Sequence, residues 1–305
     1  MVAMTFKSGF VAIIGRPNAG KSTLVNALVG RKVAIVSPRP QTTRNRIQGI
    51  VNRPGAQIVL VDTPGIHKPD SALGRQMMGE VHNALDGIDL LALLVDASEP
   101  FGAGDRFALE MVKRHDGPAI LLLNKIDRIA KPDLLPRIAA YSKGHEFAEV
   151  IPIAALTGEG LPLLLDALVT HLPDGEPMFP AEQFTDQPER FLAAEIVREK
   201  AIHATREEIP HALMALVDSW QEGPQLIRIR VTIYVERDGQ KGIVIGRGGE
   251  MLKRIGTEAR KELEEILGAK TFLELLVQVK PHWRDNPALV RQLDWRLQLE
   301  RLTEE

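Results

Sequence analysis

The stretch Gly15-Arg16-Pro17-Asn18-Ala19-Gly20-Lys21-Ser22 constrains this chain more than any other. It fits G-x-x-x-x-G-K-[ST], a loop that cradles phosphate. Phe10–Ile14 before it is a short apolar run suited to a buried strand, and Lys21–Val29 after it reads as a helix. Gly15 and Gly20 let the loop wrap with its N–H groups turned inward at an anion, and the helix N-terminus adds its dipole. Lys21 can then reach the outer phosphates, while Ser22, with Thr23 beside it, offers a hydroxyl to Mg²⁺.

That loop needs a sheet behind it, and the chain supplies one. From Phe10 to about Leu172, apolar runs (10–14, 46–51, 57–61, 90–95, 119–123, 150–153) alternate with amphipathic stretches (21–29, 73–85, 105–114, 132–141, 161–171). This alternation predicts an α/β domain, a mostly parallel sheet with helices on both faces. Ligands of such sheets bind at the carboxyl ends of the strands, so the informative residues should follow the strands.

After 57–61 comes Asp62-Thr63-Pro64-Gly65. A carboxylate there can hold Mg²⁺ opposite Ser22, and the Gly65 N–H can meet a γ-phosphate. The next residue is Ile66, where Ras-like enzymes carry a water-orienting glutamine; isoleucine cannot orient water, so intrinsic hydrolysis is expected to be slow. After 119–123 comes Asn124-Lys125-Ile126-Asp127. The Asp127 carboxylate can accept two hydrogen bonds from guanine N1–H and N2–H₂, a pair of donors that adenine lacks. Asn124 can bond the base edge and tie neighbouring loops, and the stem of Lys125 can cover a ring face. After 150–153 comes Ala154-Ala155-Leu156, where GTPases usually read Ser-Ala; the Ala155 N–H is expected to meet guanine O6. Between these motifs, Pro40–Asn45 (PQTTRN) is the candidate switch I, with Thr43 the first choice to complete the Mg²⁺ shell and Thr42 the second; residues 66–73 would form switch II. The expected ligands are thus GTP or GDP with Mg²⁺.

At 305 residues the chain suggests two domains. Residues 173–188 are rich in Pro and Gly, and the alternation stops there. The expected division is a GTPase domain over 1–175, a linker over 176–188 and a second domain over 189–305. The latter reads as helix 189–204, strands 211–220 and 226–235, helices 250–254 and 257–267, strand 271–280 and a terminal helix over 287–302, an α+β module. Within it, Ile245-Gly246-Arg247-Gly248-Gly249, continued by Met251, Leu252 and Ile255, matches the signature of a type II KH domain, whose G-x-x-G turn admits a nucleic-acid backbone. From 241 to 261 six residues are basic (241, 247, 253, 254, 260, 261) and two acidic (250, 258), although the whole chain has a formal net charge of −2. Lys241, Ile243, Ile245, Gly246, Arg247, Gly248, Gly249, Lys253 and Arg254 are therefore the candidate RNA contacts. Trp283 and Trp295 are expected in a core or interface before a base-stacking role.

The chain contains no cysteine, which excludes disulfides, thiolate metal sites and thiol catalysis and fits a reducing cytosol. Its first residues (MVAMTFKSGF) carry no long apolar region, so no secretory leader is expected, and no run is long enough to span a membrane.

GRPNAGKS, PQTTRNRI, VDTPGIH, NKID, ALTGEG and IVIGRGGEMLKRIGTEAR, in that order, resemble the Era family of bacterial GTPases over nearly the whole chain. The resemblance implies a GTPase of small-subunit ribosome assembly and rRNA maturation. It implies binding to 16S rRNA near its 3′ end and to the 30S subunit, and a cytoplasmic monomer partly peripheral at the inner membrane. Related GTPases with an asparagine at Asn18 bind K⁺ beside the phosphates in place of an arginine finger; Asn18 either does this or braces the loop. Lys21, Asn18, Thr43 and Gly65 are the catalytic candidates. Departures are Ala154 and the ending Leu293-Asp294-Trp295, where the family tends to have Leu-Gly-Tyr. The competing reading is a protein-partner signalling GTPase that uses its KH-like fold as a docking surface.

Overall fold

A computed structural model describes residues 5–296. Its contacts divide the chain into two units. One holds the chain up to Val36, Thr43–Pro69 and Gly74–Asp186; the other holds Ser37–Thr42, Asp70–Leu73 and the chain from Gln187.

In the first unit β1 (Lys7–Ile14), α1 (Lys21–Val29), β2 (Ile47–Arg53), β3 (Ala56–Asp62), α2 (Ala72–Asn83, from Gly74 on), β4 (Leu90–Asp96), α3 (Ala103–Val112), β5 (Ala119–Asn124), α4 (Leu134–Ser142), β6 (Glu149–Pro152) and α5 (Leu161–His171) follow in order. The strands form one sheet in the order β2-β3-β1-β4-β5-β6. Only β2 runs antiparallel, as a hairpin with β3. The sheet is buried on both faces, which is why its strands are continuous apolar runs. Val11 and Ile13 of β1 join one core and Ala12 and Ile14 the other. Each fully buried branched side chain of this kind contributes about 1.5–3 kcal/mol. Register does the rest: Ile13 pairs with Asp62 and Asp96 with Asn124, so the strands end together and deliver their following loops to one rim.

The stretch 176–188, expected as a linker, is hydrogen-bonded along the first unit as far as Asp186. The buried Gln57 side chain accepts the N–H groups of Met178 and Phe179 (2.7 and 2.9 Å), and Asn52 donates to the Ala181 carbonyl (2.9 Å). Thr185 bridges Gly49, and Asp186 accepts the Gln48 N–H (3.2 Å). Proline and glycine set the backbone of this strap, while its partners lie far away in sequence.

The second unit contains α6 (Glu189–Ala204), α7 (Ile209–Ala212), β7 (Met214–Glu222), β8 (Leu226–Val235), α8 (Asp238–Ile245), α9 (Glu250–Leu267), β9 (Lys270–Val279) and α10 (Pro287–Arg291). Its sheet is β7-β8-β9, with β8 and β9 parallel. Three expectations change. The strand expected from His211 begins at Met214, because Pro210 opens the short helix α7. The helices expected over 250–254 and 257–267 are one, α9; Gly256 does not break it, and a Cβ there would lie 3.3 Å from Leu275, so the glycine lets β9 come close. Helix α8 was not foreseen, since Gly239 and Gly242 lower its propensity; the Gln240 side chain fixes its start by accepting the N–H groups of Glu236 and Arg237 (3.0 and 3.1 Å). The expected terminal helix is described only as α10, and residues 297–302 of that expectation lie outside the described residues. Trp283 is fully buried and donates to the Ala212 carbonyl (2.8 Å), and Trp295 is buried near Phe191; both are core residues.

Candidate nucleotide site and nucleic-acid groove

The loop Gly15–Ser22 lies on the rim between β1 and α1. The Lys21 ammonium is buried and donates to the carbonyls of Gly15 (3.1 Å) and Arg16 (3.0 Å). Burial pulls its pKa down to about 8, against the opposing charge of Asp62. Asp62 ends β3 with no exposure; burial pushes its carboxyl up to about 6, although hydrogen bonds from Ser22 and Thr43 and the charge of Lys21 favour the ionised form.

Ser22 Oγ donates to Asp62 Oδ2 (2.6 Å) and lies 2.7 Å from Thr43 Oγ1. Asp62 Oδ1 is buried without a partner among the described residues. Two hydroxyls and one carboxylate, an oxygen of which is orphaned, are a hard-oxygen donor set that suits Mg²⁺. Of the two switch threonines, Thr43 faces this set. Thr42 turns its hydroxyl to the Arg39 carbonyl (2.6 Å) and the Ser37 hydroxyl (2.8 Å).

The turn after β3 is tied to the phosphate loop. Thr63 donates to the Ile13 carbonyl (2.8 Å), and Ile66 is buried with its N–H on the Gly15 carbonyl (3.0 Å). Pro64 and Gly65 between them therefore lie over the loop, and His67 Nδ1 sits 2.9 Å from the Gly65 carbonyl. Ile66 is committed to packing and offers nothing to water.

Asn124 joins two loops: its Nδ2 donates to the Ala19 carbonyl (2.8 Å), and its Oδ1 accepts the Ala155 N–H (2.9 Å). In this structure the Ala155 N–H, expected to meet guanine O6, is held by Asn124 Oδ1 and would exchange that bond for the base. Ala154 is buried with its N–H on the Glu159 carbonyl (2.9 Å), which closes the loop without the usual serine, and Leu156 beyond is 77% exposed. Ile126 donates its N–H to the Ile153 carbonyl (3.3 Å) and so places Asp127, exposed on the turn Ile126–Arg128, at the open end.

Sequence reasoning passed over two supporting carboxylates. Asp96, which ends β4, receives the Lys125 ammonium at 2.5 Å, and the same ammonium donates to the Asn18 carbonyl (2.8 Å). Burial works against this carboxyl, but the bonds from Lys125 and Ser98 hold it below the usual range. Asn18 itself sits in the left-handed region (φ 62°), which asparagine tolerates better than most residues. Asp96 was findable, because it follows an apolar run as Asp62 does. Asp105, which receives Arg16 Nη1 at 2.9 Å, was not, because it opens a helix.

In the second unit Gly246–Gly249 turns between α8 and α9 with positive φ at Gly246, Gly248 and Gly249 (75°, 61° and 82°). Arg247, Gly248, Lys253 and Arg254 are exposed, and Lys241 is half-buried on α8. Beside the turn runs a groove of about 460 Å³ lined by Gly249, Leu252, Lys253, Arg260, Phe272 and Leu275, among others. Ile245 packs partly buried against the core and Ile243 stands 51% exposed; neither lines the groove, because α8 turns Val244 inward between them. The apolar wall comes instead from α9 and β9, with Phe272 52% exposed under the guanidinium of Arg228 (5.4 Å to the ring centre).

A phosphate loop, a carboxylate behind it and a turn that presents Asp127, all on one rim of a largely parallel sheet, define a GTP-hydrolysing protein with a second, KH-type module. Comparison with known families agrees. The family described as 50S ribosome-binding GTPase matches residues 10–125, and the KH domain family matches residues 208–284. A crystal structure of Era in complex with MgGDPNP and nucleotides 1506–1542 of 16S ribosomal RNA is 43% identical, covers 95% of this chain and 99% of that one, and superposes with a TM-score of 0.92. An Aquifex aeolicus Era variant bound to GDP·AlF₄⁻ matches with the same identity, coverage and score. The chain belongs to the Era family.

Proposed function

We propose that this protein is a GTP-driven switch that binds 16S rRNA near its 3′ end through the groove beside Gly246–Gly249, in the service of small-subunit assembly and rRNA maturation. The observation that carries the reading is the likeness, over 95% of the chain, to an Era bound at once to a GTP analogue and to nucleotides 1506–1542 of that RNA. The 30S subunit as the assembly engaged, and peripheral association with the inner membrane, are proposed on family likeness alone; among the described residues no helix is long and apolar enough to cross a membrane.

In hydrolysis, water attacks the γ-phosphorus and the bond to the β–γ bridging oxygen breaks, leaving its electron pair on GDP. Lys21, now spent on two carbonyls, exchanges them for phosphate oxygens and meets the developing charge. Ser22, Thr43 and Asp62 would hold Mg²⁺, which would supply positive charge to the phosphates. The N–H of Gly65 is offered to the γ-phosphate, and Asp127 selects guanine. With Ile66 buried, no side chain at that position orders the water, so slow turnover is the expected outcome. A K⁺ ion at Asn18 is proposed to supply the missing positive charge. Turnover should rise when K⁺ replaces Na⁺ at fixed ionic strength, and Asn18→Ala should erase the difference; equal wild-type rates in the two salts would leave Asn18 a loop brace.

The RNA reading is tested at Gly249. A Cβ at Gly246 would fall 2.6 Å from Met251 Cβ, so a substitution there disturbs the fold, whereas Gly249 opens on free space. Gly249→Asp places negative charge where phosphate should lie, and Gly249→Asn carries the same backbone cost without the charge. RNA binding should be lost in the first and largely kept in the second, with GTP binding intact in both. Unchanged RNA affinity in Gly249→Asp would refute the groove.

A further inference from the structure

The first turn of α3 carries Asp105, 3% exposed and distant from every nucleotide motif in sequence. Its Oδ2 accepts from Arg16 Nη1 (2.9 Å) and from the Gly102 N–H that precedes the helix (2.9 Å). Tyr141, buried on α4, lies close to the same carboxylate; burial first, and then the charge of Asp105, push its phenol well above the usual range, so it stays protonated. Three elements thus converge on one carboxylate, and only one of them, the phosphate loop, is functional. The stem of Arg16 lies flat on α3, because Gly104 beneath it has no side chain; a Cβ there would sit 3.1 Å from Arg16 Cδ. The backbone of Arg16 is in turn a hub: its carbonyl accepts the Lys21 ammonium (3.0 Å) and the Ala19 N–H (3.4 Å).

We infer that Asp105 is a positioning residue for nucleotide binding, which acts through the Arg16 guanidinium to hold the first turn of the phosphate loop. A loop whose N–H groups must converge on an anion binds tightly only if it does not have to be ordered by the ligand. The anchor supplies that order from outside the loop: a charge-assisted bond to a buried side chain fixed by a helix cap. Released from it, the Arg16 carbonyl and the ammonium parked on it lose their reference to the sheet, and bound nucleotide should leave faster.

The test is the dissociation rate of a fluorescent GDP from the full chain carrying Asp105→Asn, Arg16→Met, both together, Arg16→Lys or Tyr141→Phe. The Asp105→Asn amide oxygen still caps α3, but the charge that holds Arg16 is gone. Asp105→Asn and Arg16→Met should each speed release about tenfold, and the double variant should be no faster than the faster single one, because both cut one connection. Arg16→Lys should recover much of the loss, and Tyr141→Phe should show a smaller effect of the same sign. A merely structural role for Asp105 predicts a lowered unfolding temperature and effects on release that multiply in the double variant. Multiplying effects, or wild-type release from Asp105→Asn, would overturn the inference. If Asp105→Asn does not fold, equal release from Arg16→Met and wild type would overturn it, since that half-exposed side chain can be replaced without touching the core.

Discussion

The two binding regions are built on opposite plans. The nucleotide site is a closed set of side chains already bonded to one another: Lys21 to carbonyls, Ser22 to Asp62 and Thr43, Asn124 to two loops, Lys125 to Asp96. Most of these atoms are buried, and two groups carry the mark of it in shifted pKa values. The KH groove is open, and Lys253, Arg254 and Phe272 project to solvent. Interactions are strong where water is excluded and screened where it is not. A site that must grip one small, highly charged ligand is pre-ordered, whereas a groove for a polymer spreads its affinity over many weak contacts.

The largest effect that separates the two plans is expected at Asp127. Asp127→Asn should lower GTP affinity by about 1–3 kcal/mol, roughly five- to 150-fold, and shift preference toward xanthine nucleotides, by analogy with bidentate base readout. Competition binding with GTP, XTP and ATP reads this directly. ATP that competed as well as GTP in the wild type would break the nucleotide half of the comparison.

Next comes Phe272, which lines the groove, against Ile243, a candidate contact outside it. Loss of one stacked base costs about 1–3 kcal/mol, so Phe272→Ala should weaken single-stranded RNA binding markedly. Ile243→Ala, at an exposed position outside the groove, should stay within about 0.5 kcal/mol of wild type. The opposite ranking in a filter-binding assay would move the RNA back to the α8 side.

The smallest effect is expected at Lys253. Lys253→Ala should weaken RNA binding modestly and lower the slope of log K against log salt by about 0.7–1, the signature of one lost phosphate contact. GTP affinity should not change. A loss that persists undiminished at high salt would mean that Lys253 is part of a pre-ordered site, and the contrast between the two plans would fail.

The sequence was most legible where a local rule and a chemical need coincide. A phosphate loop must have its glycines and lysine at fixed spacing, and a guanine reader needs its carboxylate just past a strand, so Lys21, Asp62, Asn124 and Asp127 stood out. Helices Lys21–Val29, Leu161–His171 and Glu189–Ala204 matched their expected bounds because periodicity and punctuation agreed at both ends. It was least legible where a residue's meaning depends on a partner far along the chain. Gln57 looks like an interruption in a strand until Met178 and Phe179 arrive to be bound. Gly256 looks like a helix break until Leu275 needs the space.

The sequence by itself determined the class of fold, the chemistry of the nucleotide, the presence of a KH turn and the family, because each rests on residue types at short spacing, where the backbone leaves little choice. Only the tertiary structure decided which threonine faces Ser22, that Asn124 takes the N–H of Ala155, that Phe272 and Leu275 line the groove beside Gly249, and that Asp105 receives Arg16 of the phosphate loop. Each of these is a contact across many residues, set by strand register and by which side of a helix turns inward. A chain read in one dimension carries no record of either until it is packed.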